Sequence, residues 1–361
     1  MNELIKKLQA NIRENLNGAN YYELIVTQFD SYIHVLTHGI SDDNFNQFLQ
    51  NVKELNGKQT KTRFINLIKK IQYQCLAILR SCYKGDFFYA EEQLVKLLSI
   101  PKFTDNKLKD AYCGYFVLDF ERLNPKFYYR RVDFPIGKTD VNCWHVPFNL
   151  RHLASKGRFN MLGYPCFYLS DSPQGANAEV GNLKQGMSSH MGKFEGIKRI
   201  LLLNFTLPDV KSMNDFDKFC FLVTYPFYLL CLVKAAHKES VFCEEYLFPQ
   251  LFFHVLFCHH KNGKGIGLPN FNGISYNSME AENATNIVIP AKYSGDIPPL
   301  NGYSTYIKSM FKCVETKKDN SFKDTPPQKI HIYDIKNDNI SINMEGDEMK
   351  IIITQKSSNV E

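Results

Sequence analysis

The chain has 361 residues, of which 43 are Lys or Arg and 37 are Asp or Glu, giving a formal net charge of +6. This length predicts one large domain with an accessory domain, and a hydrophobic share of 44% is typical of a buried globular core. The charge is mild and no basic tract is dense, which argues against nucleic acid as a partner.

Ten cysteines are present, and none of them forms a Cys-x-x-Cys pair. This spacing predicts buried free thiols in a reducing compartment. The apolar run from Phe219 to Val233 is shorter than the roughly 20 residues that a membrane-spanning helix needs. The amphipathic N-terminal segment lacks the apolar centre of a signal peptide. We therefore expect a cytoplasmic protein without membrane contact.

Apolar residues recur at helical spacing through the N-terminal third of the chain, and Ser41 is a plausible helix cap. The segments with this spacing are residues 4–16, 22–36, 45–52, 64–83 and 87–100. Nothing in them suggests catalysis. We expect residues 1–120 to form an all-α accessory domain that binds a partner or oligomerises.

The composition changes near Leu123, where aromatic residues, glycines and prolines become frequent and short β-like runs appear. Strands are predicted at residues 127–132, 167–169, 200–205, 273–276 and 286–289, and helices at 216–236 and 244–257. After a polar stretch, three short alternating segments follow, around Ile330, Ile340 and Ile351. The expected fold class is α+β: a mixed β core with helices at 121–312, a linker at 313–328 and a small antiparallel β unit at 329–361.

The stretch from Gly157 to Val180 carries the candidate chemistry, because it brings Arg158, Tyr168 and Glu179 on and around one short strand. An Arg can hold a phosphate, a Tyr can stack on a flat ring, and a carboxylate can stabilise a positive charge. Taken singly, Arg158 fits a surface position and Tyr168 a core position. Glu179 is less ordinary, because a carboxylate among small apolar residues is either partnered or put to use.

Arg130 and Arg131 follow an aromatic strand, where a half-buried guanidinium needs an anion or a carboxylate partner. A structural salt bridge is the simpler interpretation for either of them. His254 and Cys258 are four residues apart on a predicted helix but have no matching second pair, which favours packing over a metal site. We expect no bound metal.

Eight sequence blocks, taken in order, resemble the RES domain family, which is named for its Arg, Glu and Ser. The resemblance spans roughly residues 127–290, and its middle part is the most specific. The blocks are YR at 129–130, WHVPFNLRH at 144–152, GRFN at 157–160, GYPCFYL at 163–169, AEV at 178–180, YLFPQ at 246–250, GISYNS at 273–278 and NIVIP at 286–290.

The resemblance implies a fold similar to that of ADP-ribosyltransferase toxins, with NAD as the substrate. Arg158 would then grip the phosphates or ribose of NAD, and Tyr168 would stack on or orient the nicotinamide ribose end. Glu179 would face the developing ribosyl cation. Ser278 would hydrogen-bond the nicotinamide side or position Glu179.

The same resemblance makes Arg130 a second anion clamp, with Arg131 in that role if the register is shifted by one residue. It implies cleavage of the nicotinamide–ribose bond, by a glycohydrolase or a phosphorylase, in a toxin or antiviral defence effector. Water and phosphate both stay open as acceptors. Two alternatives also stay open: transfer of ADP-ribose to a macromolecule, and a catalytically inactive binding module on the same fold.

The chain departs from the short members of that family at both ends. The helical region before residue 120 and the β unit after residue 329 are additions, which puts a simple toxin–antitoxin role in question. We expect the helical region to bind an antitoxin or a regulatory protein that restrains the NAD-consuming domain. A homo-oligomer is also compatible with the sequence.

Overall fold

The computed structural model describes residues 1–13, 20–55, 59–98, 119–122, 127–236, 240–258, 271–293, 302–318, 339–345 and 348–354. The chain divides into two packing units, residues 1–327 and residues 328–361. The α+β class is confirmed: helices come first, a mixed sheet occupies the middle, and paired strands lie near the C-terminus.

The N-terminal region consists of helices that bury the predicted apolar stripes. They are α1 (Asn2–Arg13), α2 (Tyr21–His38), α3 (Asp42–Asn51), α4 (Lys61–Tyr83) and α5 (Phe87–Leu98). In α2, for example, Ile25, Phe29 and Leu36 are buried on one face. Ser41 caps α3 as predicted, because its side chain accepts the backbone N–H of Asn44.

Eight strands of the first unit form one sheet in the order β1-β5-β6-β7-β3-β2-β4-β8. They are β1 (Asp119–Arg122), β2 (Phe127–Pro135), β3 (Cys166–Ser170), β4 (Met187–Gly196), β5 (Leu201–Phe205), β6 (Gly273–Asn277), β7 (Thr285–Pro290) and β8 (Phe311–Lys318). Neighbouring strands are antiparallel except β5 and β6, which are parallel. β2 and β3 share a single residue pair, Tyr129 with Ser170, so two half-sheets meet at one point.

In the described part of the chain, four helices accompany the sheet: α6 (Pro173–Val180), α7 (Asp215–Leu232), α8 (Leu247–Cys258) and α9 (Thr305–Lys308). After its charged first turn, α7 is buried on nearly every side from Phe219 to Leu232, as expected for a helix with neighbours all round. Its Tyr228 ring lies 5.4 Å from that of Phe205 in the sheet, and its Phe219 ring lies 5.6 Å from that of Phe64 in α4. One apolar core therefore runs from the N-terminal helices through α7 to the sheet.

Two of the predicted domain boundaries, at residues 120 and 313, can be compared with the positions of strands β1 and β8. The edge strand β1 begins at Asp119 and pairs with β5, so the sheet starts near the expected boundary at residue 120. The linker expected at 313–328 begins inside strand β8, which pairs with β4. The sequence of β8 shows little apolar alternation, because Lys312, Thr316, Lys317 and Lys318 are exposed and polar. The rest of that linker, from residue 319, lies outside the described residues.

The second unit contains a hairpin of β9 (Asn339–Glu345) and β10 (Glu348–Thr354). The strands are antiparallel, with Ile342 opposite Ile351, as the alternation predicts. The further strand expected around Ile330 lies outside the described residues. Within the ranges given above, no helix combines the length and the apolarity that crossing a membrane requires.

Helix α7 depends on α2 for two of its backbone hydrogen bonds. Pro226 has no N–H, so the carbonyl of Leu222 lacks its helical partner. The buried hydroxyl of Tyr32 donates to that carbonyl at 2.6 Å. Near the end of α7, where carbonyls also lack helical partners, the hydroxyl of Tyr21 donates to the carbonyl of Leu230 at 3.1 Å.

We expect Tyr32→Phe to lower the free energy of unfolding by about 1–3 kcal/mol, because it leaves the Leu222 carbonyl buried without a partner. In a Pro226→Ala background the backbone N–H at position 226 can serve that carbonyl, so the same change should cost less. Urea unfolding of the four proteins in this double-mutant cycle measures both costs. An equal cost in both backgrounds would contradict the link between Tyr32 and Pro226.

Candidate active site

A cavity of about 1020 Å³ lies beside the single contact between β2 and β3. Its volume is at the upper end of the range for small-molecule and cofactor sites. Five of the six predicted site residues line it: Arg130, Arg131, Arg158, Tyr168 and Glu179. The sixth, Ser278, lies behind the Glu179 carboxylate rather than on the wall.

Glu179 reaches the cavity from the last turn of α6. This helix begins at Pro173, and the side chain of Ser172 accepts the backbone N–H of Gly175 at 3.1 Å as its cap. It ends at Val180, and the next residue, Gly181, has a φ of +77°, which is strained for any residue with a side chain. The short helix thus has both of its ends specified by local sequence.

Two neutral groups hold the Glu179 carboxylate. Its Oε1 accepts a hydrogen bond from Ser278 Oγ at 2.7 Å and another from Asn286 Nδ2 at 2.6 Å. Ser278 follows strand β6, and the buried Asn286 lies in strand β7. Asn286 was not predicted as a site residue. The sequence does offer one indication of its role: Asn286 is the polar residue of the otherwise apolar block NIVIP.

Arg158 lies in a tight turn in which Gly157 and Asn160 pair with each other. Tyr168 supports this turn, since its hydroxyl donates to Asn160 Oδ1 at 2.8 Å and accepts the backbone N–H of Phe159 at 3.2 Å. Gln250 Nε2 donates to the carbonyls of Gly157 and Asn160 at 2.9 and 3.0 Å. A Cβ at position 157 would lie 2.7 Å from the Tyr168 hydroxyl, so the turn requires glycine there.

The guanidinium of Arg158 is buried, rather than exposed as its sequence context suggests. Nη1 donates to the carbonyls of Cys231 and Val233 at 3.1 and 2.7 Å, at the end of α7. Its carbon Cζ lies 5.3 Å from the centre of the Tyr246 ring, within the range of a cation–π contact. A helix C-terminus carries partial negative charge, which favours a cation at this position.

The two adjacent arginines of β2 have different surroundings. Arg131 donates Nε and Nη2 to the carboxylate of Asp133 at 3.0 and 3.3 Å, and Nη1 to the Gly181 carbonyl at 2.9 Å. Arg130 donates Nη1 to the Tyr168 carbonyl at 3.1 Å, while its Nε is buried without a hydrogen-bond partner among the described residues. Burial lowers the pKa of Arg130 below its ordinary value.

Two buried tyrosines of the cavity wall, Tyr246 and Tyr276, lie within electrostatic reach of both Glu179 and Arg158. Burial raises the pKa of Tyr276 well above its ordinary value, the Glu179 carboxylate raises it further, and Arg158 opposes both. Burial also raises the pKa of Tyr246 to about 12, and Arg158 again opposes the shift. Both hydroxyls therefore stay neutral at physiological pH and can donate hydrogen bonds to a ligand.

No cluster of three or more His, Cys, Asp or Glu side chains suited to a metal ion occurs within the described part of the chain. His254 Nε2 instead lies 3.7 Å from Glu91 Oε1 of α5. The side chain of Cys258 is outside the described residues. The eight described cysteines are free thiols, and most of them are buried.

The chain is 23% identical over 150 residues to "Putative toxin YopC" of Bacillus subtilis (strain 168). The match covers 37% of this chain and 33% of that protein, so the chain spans about a third of the length of this relative. No protein-family model matches the chain, and no solved structure matches it significantly. The similarity is thus to a toxin-like protein, and membership of the RES family stays a prediction.

His145, in the block WHVPFNLRH, has a structural role in a neutral state. Its side chain is fully buried, with Nδ1 2.7 Å from the Val146 carbonyl, and Nε2 accepts the backbone N–H of Ser304 at 2.8 Å. Because Nε2 accepts, we assign the proton to Nδ1. Burial, assisted by the nearby Arg130 and Lys308 cations, lowers the pKa of His145 to about 4.

The neutral His145 predicts acid-sensitive stability. As the pH falls through the ordinary histidine pKa, the unfolded chain binds a proton that the folded protein does not bind until about pH 4. Between about pH 8 and about pH 5 we expect this to remove about 2 kcal/mol of stability. His145→Gln should lose less stability than the wild type over the same interval, measured by urea unfolding at both pH values. Equal losses in the two proteins would contradict this assignment.

Proposed function

We propose that this chain cleaves the bond between nicotinamide and ribose in NAD and thereby depletes NAD as a toxin or defence effector. The observation that carries the proposal is the Glu179 carboxylate, held by Ser278 and Asn286 at the wall of a cavity shared with Arg130 and Arg158. Similarity to part of a protein named as a toxin supports the biological outcome. The helices α1–α5 stay the predicted place for an antitoxin or regulatory partner.

The chemistry calls for a fixed negative charge. When the bond between ribose C1′ and the nicotinamide nitrogen breaks, the electron pair leaves with the nitrogen and nicotinamide becomes neutral. The ribose ring then carries positive charge in the transition state, as in glycoside hydrolysis. A carboxylate whose orientation is already set stabilises this charge without reorganising. The two bonds to Glu179 Oε1 come from neutral donors, so they fix the orientation of the group without themselves neutralising its charge.

The acceptor completes the reaction. Its oxygen forms the new bond to C1′ and its proton passes to solvent, so water yields ADP-ribose and inorganic phosphate yields ADP-ribose phosphate. A preformed site lowers the entropic cost of aligning the two reactants. Identifying the products after incubation of purified protein with NAD, with and without phosphate, distinguishes these two acceptors.

Two guanidinium groups are suited to the diphosphate of NAD. The buried Nε of Arg130 has a donor to offer, and a buried donor without a partner is costly until an anion arrives. Arg158 uses Nη1 to hold the end of α7, and its side chain also lines the cavity. Arg131 already donates from all three nitrogens to Asp133 and Gly181, which favours the salt-bridge interpretation for this residue.

The cavity mouth favours a second candidate, transfer of ADP-ribose to a macromolecule. Five exposed apolar side chains line the cavity: Leu162, Tyr164, Val180, Leu183 and Val241. Exposed apolar patches commonly mark surfaces for protein partners. Incubation with labelled NAD separates the candidates, because label on macromolecules indicates transfer and label in free ADP-ribose indicates cleavage. Binding of NAD that leaves it intact would identify the inactive binding module instead.

We expect Glu179→Gln to lower the rate of NAD cleavage by about a hundredfold or more, because the change removes the charge and keeps the shape. The matched control is Glu280→Gln. Glu280 also lines the cavity but forms an ion pair with Lys234 at 3.3 Å, and its change should leave cleavage close to wild type. Steady-state kinetics and unfolding midpoints of the three proteins provide the comparison. Turnover by Glu179→Gln at the wild-type rate would refute the role of this residue.

Substitution of the two adjacent arginines should separate binding from stability. Arg130→Met keeps an apolar stem and removes a buried charge, so we expect a KM for NAD raised about tenfold with little loss of stability. Arg131→Met leaves Asp133 largely buried without its partner, and we expect a loss of about 3 kcal/mol with a nearly normal KM. Kinetics and urea unfolding of both variants test this. The opposite pattern would assign the clamp to Arg131.

A further inference from the structure

The N-terminal helices reach the structure that holds Arg158 through Tyr21. This residue of α2 is buried, and its hydroxyl donates to the carbonyl of Leu230 at 3.1 Å. Arg158 donates to the carbonyls of Cys231 and Val233, which follow Leu230 by one and three residues. Tyr21 and Arg158 therefore supply hydrogen bonds to the same end of α7.

A second contact comes from Tyr83, the last residue of α4. Its hydroxyl donates to Glu244 Oε2 at 2.5 Å, in the single helical turn that runs from Glu244 to Tyr246. The neighbouring Glu245 accepts the backbone N–H of Ala236 at 2.8 Å, just beyond the end of α7. Tyr246 places its ring over Arg158. Two helices of the N-terminal region thus support both surfaces against which the guanidinium lies.

The electrostatic surroundings of the Tyr21 hydroxyl also indicate that it lies close to Arg158. Burial raises the pKa of Tyr21 well above its ordinary value, and Cys231, Tyr83 and Glu245 raise it further. Arg158 opposes these shifts, which means that its cation lies within electrostatic reach of the Tyr21 hydroxyl. These groups form one cluster at the end of α7.

We propose that Tyr21 is a positioning residue for Arg158, so that helix α2 is part of the substrate site. Its hydroxyl satisfies the Leu230 carbonyl and leaves Arg158 to bind Cys231 and Val233. Without that hydroxyl, the buried Leu230 carbonyl competes for nearby donors, including the guanidinium, and the last turn of α7 shifts with it. That NAD is the ligand Arg158 then holds rests on the proposed function.

The test compares Tyr21→Phe with Tyr32→Phe as its matched control. Each change removes one buried hydroxyl of α2 that donates to a carbonyl of α7. The carbonyl that Tyr32 serves, that of Leu222, lies about two helical turns before the one that Tyr21 serves. The two variants therefore remove the same kind of bond at different distances from Arg158.

The first measurement is hydrogen–deuterium exchange followed by mass spectrometry, without any substrate. We expect Tyr21→Phe to speed exchange in residues 155–162 about fivefold or more and Tyr32→Phe to leave that segment unchanged. The second measurement is steady-state kinetics with NAD. We expect Tyr21→Phe to raise KM about fivefold with kcat within about twofold of wild type, and Tyr32→Phe to change neither.

Equal changes in the two variants, or no change in either, would overturn the proposal, because a general loss of stability produces the same effect in both. A wild-type chain that leaves NAD intact would contradict the proposed function, while the exchange measurement would still decide the role of Tyr21. If Tyr21→Phe does not fold, Tyr83→Phe serves instead, since Tyr83 is partly exposed. It should speed exchange in residues 244–250, and unchanged exchange there would count against the proposal.

Discussion

The buried guanidinium of Arg158 is the constraint on which the candidate site depends. A charge removed from water needs hydrogen bonds within reach, and Arg158 finds two at the carbonyl end of α7. To reach that end, the turn at residues 157–160 has to be held in place. Gln250 of α8 and Tyr168 of β3 hold it. The position of one side chain therefore fixes how two helices and a strand meet.

The meeting of β2 and β3 explains why a cavity exists beside this turn. A regular antiparallel pair would use the backbone groups of both strands along their whole length. Here one residue pair joins the strands, and Arg130 bridges them by donating to the Tyr168 carbonyl. Side chains from both strands then line the cavity, and α6 adds Glu179 to the wall. An irregular junction in the sheet thus brings charges of opposite sign to one cavity.

Local patterns in the sequence predicted the helices and strands that bury either one face or all of their faces. The helical periods gave α1 to α5, and apolar runs gave β5, β6 and β7. Strand β4, Met187–Gly196, was not predicted because its side chains do not alternate and it is held by backbone pairing with β2 and β8. Its Gly192 is required, since a Cβ there would lie 2.4 Å from that of Cys143.

The sequence named most of the residues that line the candidate cavity, but it did not predict their contacts. Glu179 and its partner Asn286 are 107 positions apart, and no local period relates them. The same holds for Arg158 and the end of α7, 73 positions away. The resemblance supplied the identities of Glu179, Arg158 and Ser278. Whether Arg130 or Arg131 is the anion clamp stays a prediction. The sequence could not distinguish their surroundings, because both lie in β2 and differ in whether a carboxylate lies nearby.

The N-terminal helices are bound to α7 more tightly than a separate accessory domain requires. Because Pro226 has no N–H, the Leu222 carbonyl of α7 lacks its helical hydrogen bond, and the Tyr32 hydroxyl of α2 donates to it instead. Removing α2 would leave the carbonyls of Leu222 and Leu230 unpaired, at roughly 1–3 kcal/mol each, and would also expose the apolar outer face of α7. Truncation is therefore a poor way to separate regulation from catalysis in this chain. A partner that shifts α2 without removing it has a direct physical route to Arg158, through the carbonyl end of α7.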